Sequence, residues 1–234
     1  MELFYASLIF VFGLIVLIAG AEIFIHYSSK LGSKLGISDV VIGITLIALG
    51  TSIPEIFVSI SSVLNDAPAI ALGNSIGSNI SNIALIYGLS LFWLASVTLQ
   101  ISLRNIFILI LSVLIAGWSL YDLTITRSDA IVFIALFVLF VLNLLREKPE
   151  ETLEKNHQTE SLFKVSSLIV SSLFFLGLGS ELTVKGGIDL AINLGIPDAV
   201  IGLTMVAIGT SLPELAASVS ALRRKKGNMV VGNI

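Results

Sequence analysis

The sequence predicts an all-α integral membrane protein made of two inverted-topology five-helix repeats, and three observations carry that prediction. First, the 234 residues are 56% hydrophobic and only 12% charged, with a mean hydropathy of +1.01, whereas a soluble domain carries about 25% charged residues. Second, the few charges are clustered: Leu3–Ala21, Ala67–Leu103, Asn105–Tyr121, Ala130–Leu145 and Val165–Ser180 contain none. A helix needs about 20 apolar residues to cross roughly 30 Å of hydrocarbon, and these stretches supply them. Third, one segment occurs twice. Residues 37–60 read ISDVVIGITLIALGTSIPEIFVSI and residues 196–219 read IPDAVIGLTMVAIGTSLPELAASV, with 13 of 24 positions identical at a constant offset of 159.

Taken in order, spans are expected near 3–25, 39–64, 68–98, 103–121, 128–146, 161–184 and 197–222, and an eighth starts near Asn228. Leu3–Ala21 has no basic residues ahead of it and no clear small-residue cleavage site, so it reads as a retained span rather than a signal peptide. Residues 1–146 form the first repeat and 161–234 the second. Between them, 147–160 is a linker with 7 charged residues of 14, too short to bury a core of its own. Five spans separate the start of one copy from the start of the next. That odd number makes the second copy enter the membrane from the opposite side. The offset carries through Gly20/Gly179, Glu22/Glu181 and Gly73-Asn74/Gly232-Asn233. At the same offset the second half would end near residue 304, which leaves roughly seventy residues beyond Ile234 for a total of about ten spans.

Basic residues set the orientation, because cytoplasmic loops carry the excess of Lys and Arg. With the N-terminus outside, eleven bases (Lys30, Lys34, Arg104, Arg146, Lys148, Lys155, Lys164, Arg223, Arg224, Lys225, Lys226) lie on the cytoplasmic side and only Arg127 and Lys185 outside. The expected location is the cell membrane, multi-pass, with the charged linker in the cytoplasm. The loops after the two copies agree: Leu64-Asn65-Asp66-Ala67 has no base, and its counterpart is Arg223-Arg224-Lys225-Lys226.

Several function classes drop out. There is no cysteine and only two histidines, His26 and His157, so thiolate or imidazole metal centres and cysteine catalysis are excluded. No basic tract suits nucleic acid. Gly73–Gly77 matches a nucleophile-elbow pattern, but no strand precedes it and no histidine lies in the membrane core. The chain reads as a non-enzyme with no catalytic residue and no cofactor, whose partners are ions and the lipid bilayer; no protein partner can be inferred.

The chemistry sits in the duplicated Gly-Thr-Ser-x-Pro-Glu, residues 50–55 and 209–214. A proline inside a helix cannot donate to the carbonyl four residues back and clashes with it. Pro54 therefore frees the Gly50 carbonyl and Pro213 that of Gly209. At membrane depth such carbonyls are tolerated only within protein or a polar cavity. Ala48, Thr51, Ser52 and Glu55 are three or four residues apart and share one helix face, as do Ala207, Thr210, Ser211 and Glu214. A carboxylate near mid-bilayer marks a functional site by default. Neither Glu55 nor Glu214 has a basic partner in its own span, so a bound cation is the economical counter-charge. Carboxylate, hydroxyl, amide and carbonyl oxygens suit hard ions such as Ca2+ and Na+. Asn74, Ser78 and Asn82 recur every four residues and add a polar stripe to the third span, where Gly73 and Gly77 form a GxxxG that permits close helix approach.

The paired GTSxPE motifs, the GNxxGSNxxN stripe at 73–82 and the inverted halves resemble the sodium/calcium exchangers of the calcium:cation antiporter superfamily, of prokaryotic type, here with a C-terminally truncated chain. The resemblance covers essentially the whole sequence. It implies that Ala48, Thr51, Ser52, Glu55, Ser78, Asn82, Ala207, Thr210, Ser211 and Glu214 ligate transported Ca2+ and Na+, with Ala and Thr contributing partly through backbone carbonyls. It also implies exchange by alternating access, with spans 1 and 6 moving against the rest. Rival readings are a Ca2+/H+ or K+-dependent cation exchanger on the same scaffold, and a passive cation channel. The Ca2+/H+ branch resembles Gly-Asn-x-x-Glu rather than the Thr-Ser-x-Pro-Glu found here.

Overall fold

The computed structural model describes residues 2–66, 68–92, 103–121, 124, 126–145, 160–196 and 207–234. All regular structure among these residues is helical: α1 (Glu2–Leu35), α2 (Asp39–Thr51), α3 (Ile53–Leu64), α4 (Pro68–Ile80), α5 (Gly88–Leu91), α6 (Leu103–Ser119), α7 (Arg127–Leu145), α8 (Leu162–Asn193), α9 (Ala207–Thr210), α10 (Leu212–Arg223) and α11 (Gly227–Asn233). Helices α1, α7 and α8 are each long and apolar enough to cross a membrane, and α2 with α3 forms a fourth such segment bent by 44°. Parts of the expected third and seventh spans, 93–98 and 197–206, lie outside the described residues, as does nearly all of the 147–160 linker.

Two compact units emerge. Residues 98–153 form one, in which α6 and α7 pack together. Thr126 and Asp129 close the start of α7 with a capping box: the Thr126 backbone N–H and hydroxyl donate to Asp129 Oδ2 (2.8 and 2.7 Å), and the Asp129 N–H donates back to Thr126 Oγ1 (3.4 Å). The other unit, residues 1–97 and 154–234, holds both copies of the motif.

That larger unit is organised around α1 and α8, which cross antiparallel at very short range. A Cβ added at Gly13 would fall on the Thr183 backbone N, one at Gly20 on Leu176, one at Gly179 on Leu17 and one at Gly186 on Phe10. In every pair the two residue numbers add to 196. This register maps onto itself under the 159-residue offset, so the pseudo-two-fold axis passes between Ile18–Ala19 on one helix and Gly177–Leu178 on the other. On each helix the two contact glycines are seven residues apart, and Ala6, Gly13, Gly20 on α1 and Val165, Ser172, Gly179 on α8 are buried at that spacing. Small residues let apolar helices approach where no hydrophobic effect drives them together, and the seven-residue period keeps the seam aligned along two helices that wind gently about each other.

Both long helices run about ten residues past the spans expected from hydropathy, 3–25 and 161–184. Their polar ends contain no proline, and Gly32, Gly186 and Gly187 stay helical; the chain first turns at Gly36 and Gly195, which take left-handed φ values of +67° and +75°. Glycine suits that conformation because it has no Cβ to clash. The duplication is structural as well as sequential. Gly36 and Gly195 are repeat counterparts, and so are Asp66 (φ 55°) and Lys225 (φ 58°), which turn the chain after each motif helix.

Candidate ion site

Each motif breaks its helix at the same residue. Ser52 (φ −82°, ψ 5°) ends α2 and Ser211 (φ −91°, ψ 5°) precedes α10, leaving Pro54 and Pro213 in first turns where a missing N–H is harmless. Glu55 and Glu214 follow one residue later in helices that begin at the break. A π-helical turn at Gly43–Ile47 precedes the first motif, and another at Ser81–Tyr87 carries Asn82; such turns re-aim the residues that follow.

The halves meet at the carboxylates. Glu214 is 1% exposed and Glu55 8%. Ser52 Oγ of the first motif donates to Glu214 Oε1 of the second (3.2 Å), and the Thr51 hydroxyl also faces that carboxylate. Glu55 lies within Coulombic reach of Glu214. Two buried like charges in reach of each other repel, so the arrangement calls for positive charge. The remaining oxygens say the same. Both Glu55 carboxylate oxygens, Glu214 Oε2, Ser211 Oγ and Asn82 Oδ1 are buried with no hydrogen-bond partner among the described residues. Buried polar atoms are normally satisfied. This orphaned set, oxygen only and with a formal −2, fits a hard cation. No cluster of three or more Asp, Glu or His exists among the described residues, so hydroxyl, amide and carbonyl oxygens must complete the coordination.

The other expected ligands are placed as follows. Thr51 is 1% exposed, with its hydroxyl 3.1 Å from Ile47 O and 3.3 Å from both Ala48 O and Asn233 Oδ1. Thr210 is half-buried at the end of α9, and the Ala207 backbone starts that helix. Ser78 is half-buried and donates to Ser75 O of its own helix (3.2 Å). The expected release of carbonyls is met differently in the two halves. Gly209 O accepts a bond from Ser180 Oγ of α8 (3.0 Å); the counterpart of Ser180 is Ala21, so Gly50 O has no such donor. At Gly73 and Gly77 a Cβ would meet nothing within 4 Å among the described residues, and close packing falls instead on Gly43 and Gly232, where α2 and α11 cross.

Two sets of partners were not visible in the sequence, although Asn74 was read there as part of a polar stripe. Asn74 Nδ2 donates to Glu55 O (3.1 Å) and Ser59 Oγ (3.1 Å); Asn233 Nδ2 donates to Glu214 O (3.1 Å) and Ser218 Oγ (3.0 Å). The same clasp thus holds the first turn of both carboxylate helices. The second group is ionic. Glu22 pairs with Arg223 (3.2 Å) and Arg224 (2.9 Å), Asp39 with Lys226 (2.9 Å), and Glu160 with Lys30 (2.8 Å) and Lys164 (3.1 Å). All of these bases belong to the set expected on one membrane face.

Cavities flank the centre unequally. One of about 600 Å³ is lined by Ile53, Phe57, Gly177 and Glu181 and reaches Gly209 and Thr210. A smaller one of about 220 Å³ is lined by the repeat counterparts of those four, Leu212, Ala216, Ile18 and Glu22, with Arg223, and touches none of the expected ligands. The cavities at the two ends of one pseudo-symmetric arrangement therefore differ in size, the larger reaching the expected ligands and the smaller not.

Fold and site define the class: a helical membrane protein of two inverted halves that meet at paired broken helices bearing buried acids. The profile of the family described as sodium/calcium exchanger protein matches residues 5–146 and 165–234. Sodium/calcium exchanger MaX1 of Methanosarcina acetivorans is 31% identical over 271 residues, covering 97% of this chain and 77% of that protein. An uncharacterized membrane protein of Methanocaldococcus jannaschii is 37% identical over 227 residues, covering 96% and 74%. The solved structure of the sodium-calcium exchanger NCX_Mj soaked with 10 mM Na+ and zero Ca2+ superposes with a TM-score of 0.82 at 34% identity, over 99% of this chain and 77% of that one. The chain belongs to the sodium/calcium exchanger family and is a membrane antiporter of prokaryotic type, not an enzyme.

Proposed function

We propose that this antiporter exchanges Ca2+ for Na+ by alternating access at one shared site near the bilayer midplane. Glu55 and Glu214 supply the charge; Thr51, Ser52, Thr210, Ser211, Ser78 and Asn82, with the backbone at Ala48 and Ala207, supply the remaining oxygens. The observation that carries this reading is the set of orphaned, buried carboxylate oxygens converging from both repeats. Because the two loads use the same oxygens, one must leave before the other binds, so Ca2+ and Na+ cannot be carried across together. If several Na+ replace one Ca2+, net charge crosses in each cycle, and the membrane field contributes about 2.3 kcal/mol per charge per 100 mV. The basic residues gathered at the end with the smaller cavity support an N-terminus outside, a cytoplasmic 147–160 linker, and a large cavity open to the exterior.

The test is ion flux through the full-length protein in liposomes. Na+ loaded inside should drive uptake of external Ca2+. Glu55→Gln and Glu214→Gln should each reduce it by about 100-fold or more, since removing one member of a buried charge cluster costs about 3–5 kcal/mol. Exchange retained in both variants would reject the assigned site, and Ca2+ flux independent of Na+ or any counter-ion would replace the carrier with a channel.

A further inference from the structure

The two Asn clasps are alike, but only one reaches across the molecule. Asn233 is 4% exposed, and its amide nitrogen is committed to Glu214 O and Ser218 Oγ. Its carboxamide oxygen faces the other way, 3.3 Å from the Thr51 hydroxyl of the opposite repeat. The counterpart contact joins Asn74 to Thr210. Among the described residues it is not made: Asn74 holds Glu55 O and Ser59 Oγ as Asn233 holds their equivalents, while Thr210 stands at the wall of the 600 Å³ cavity. Thr51, the repeat counterpart of Thr210, is thus the engaged threonine, and the smaller cavity on its side does not reach it.

We propose, building on the alternating-access reading above, that Asn74 and Asn233 are positioning residues that take turns. Each permanently fastens the first turn of its own carboxylate helix by an amide bond to the glutamate's carbonyl. Each carboxamide oxygen captures the opposite repeat's threonine only when the cavity beside that threonine is constricted. In the state seen here Asn233 Oδ1 lies 3.3 Å from the Thr51 hydroxyl and shares the hydroxyl's single proton with that helix's own carbonyls, Ile47 O at 3.1 Å and Ala48 O at 3.3 Å. When the cavities exchange ends, Thr51 is released and Thr210 closes onto Asn74. The chemistry requires a carboxamide, because the same side chain must donate to a carbonyl on one helix and accept from a hydroxyl on another. Pairing by a repeat-related rule gives each state one such bond, so this pair by itself favours neither state.

Single cysteines at Phe57 and at its counterpart Ala216, in the full-length protein with no other cysteine, report the two cavities. Their reaction rates with a small methanethiosulfonate are measured in detergent without transported ions. Asn233→Ala should slow labelling at position 57 relative to 216 by about fivefold, the equivalent of about 1 kcal/mol for one hydrogen bond. Thr51→Val should do the same, and the double variant should go no further than either alone. Asn74→Ala should move the ratio the opposite way. If Asn233→Ala does not fold, the opposed shifts of Thr51→Val and Asn74→Ala still decide the matter. Shifts in one direction for both Asn variants, additive effects of Asn233→Ala and Thr51→Val, or no shift would overturn the proposal. This readout is independent of ion identity, so it can fail while Glu55→Gln still abolishes exchange, and the converse also holds.

Discussion

Replacing Gly179 by Ala is the most direct test of the crossing that organises the site. The new Cβ would lie against the backbone N and Cα of Leu17, closer than real Cβ atoms approach, and Leu17 is itself 3% exposed with nowhere to retreat. Because the obstacle is backbone, α1 and α8 must separate by about 0.5–1 Å. A gap of that size forfeits roughly a quarter to a half of the dispersion energy of each contact along the seam, and overpacking a tight core costs about 1–3 kcal/mol. A backbone obstacle puts Gly179→Ala at the upper end, about 3 kcal/mol, a large share of a typical stability of about 5–15 kcal/mol. Gly177→Ala is the control. It lies two residues away on the same helix, a Cβ there meets nothing within 4 Å, and alanine favours the helix by about 1 kcal/mol. Thermal unfolding of the full-length protein in detergent should show a clear fall for Gly179→Ala and no fall for Gly177→Ala. Adding Gly20→Ala to Gly179→Ala should cost less than its single effect, because Gly20 faces Leu176 on the same seam and the first change has already opened it. Equal melting for Gly179→Ala and the parent would refute the close crossing.

Two further outcomes follow from the charged end. Hydrogen bonds from Lys30 and then Lys164 hold the Glu160 carboxyl down at about 2, from an ordinary 4.5. A depressed carboxylate stabilises the fold fully above its unfolded value, and that contribution is lost as pH falls from about 4.5 toward 2; hydrogen exchange at the start of α8 should rise across that window, and Glu160→Gln should flatten the rise. Arg224→Gln, which removes the 2.9 Å pair with Glu22 at a site 35% exposed, should change stability by less than about 1 kcal/mol but should speed labelling of a cysteine at Ala216; unchanged access there would show that the ion pair does not hold the small cavity shut.

The duplication, the helical membrane fold and the paired acids were legible because they are written as residue identity at a fixed offset. Helical spacing alone put Thr51, Ser52 and Glu55 on one face, and the structure gathers them around Glu214. Partners were harder to see. Asn74 and Asn233 read as one more polar pair in an apolar helix, because the groups they hold, Glu55 O and Glu214 O, are backbone atoms with no letter in the sequence. Ser180 was hidden for the opposite reason: its counterpart is Ala21, so the repeat does not announce it. The glycine seam of α1 and α8 did leave a signal in the seven-residue spacing of Gly13 with Gly20 and of Gly179 with Gly186, but hydropathy weights glycine as nearly neutral and the eye follows leucine. GxxxG at Gly73 and Gly77 permits a close approach, and among the described residues none is made there.

The differences between the halves are as informative as the likeness. If a pseudo-two-fold operation exchanges an outward-open state for an inward-open one, every contact shared by both repeats cancels from the energy difference between them. What survives are the contacts that the repeats do not share, several of them beside the site. Ser180 bonds Gly209 O whereas Ala21 offers Gly50 nothing, and Glu22 has Arg223 and Arg224 where Glu181 has Leu64 and Asn65 as counterparts. A neutral hydrogen bond contributes about 1 kcal/mol and a partly exposed ion pair less, so a few such contacts tilt the balance by a few kcal/mol. That is the range in which a minor state holds about 0.1–10% of molecules, and differential ion binding of comparable size can reverse it. A carrier must be near balance to cycle, and a duplication starts from two equivalent packings, which unshared contacts then tilt one way or the other.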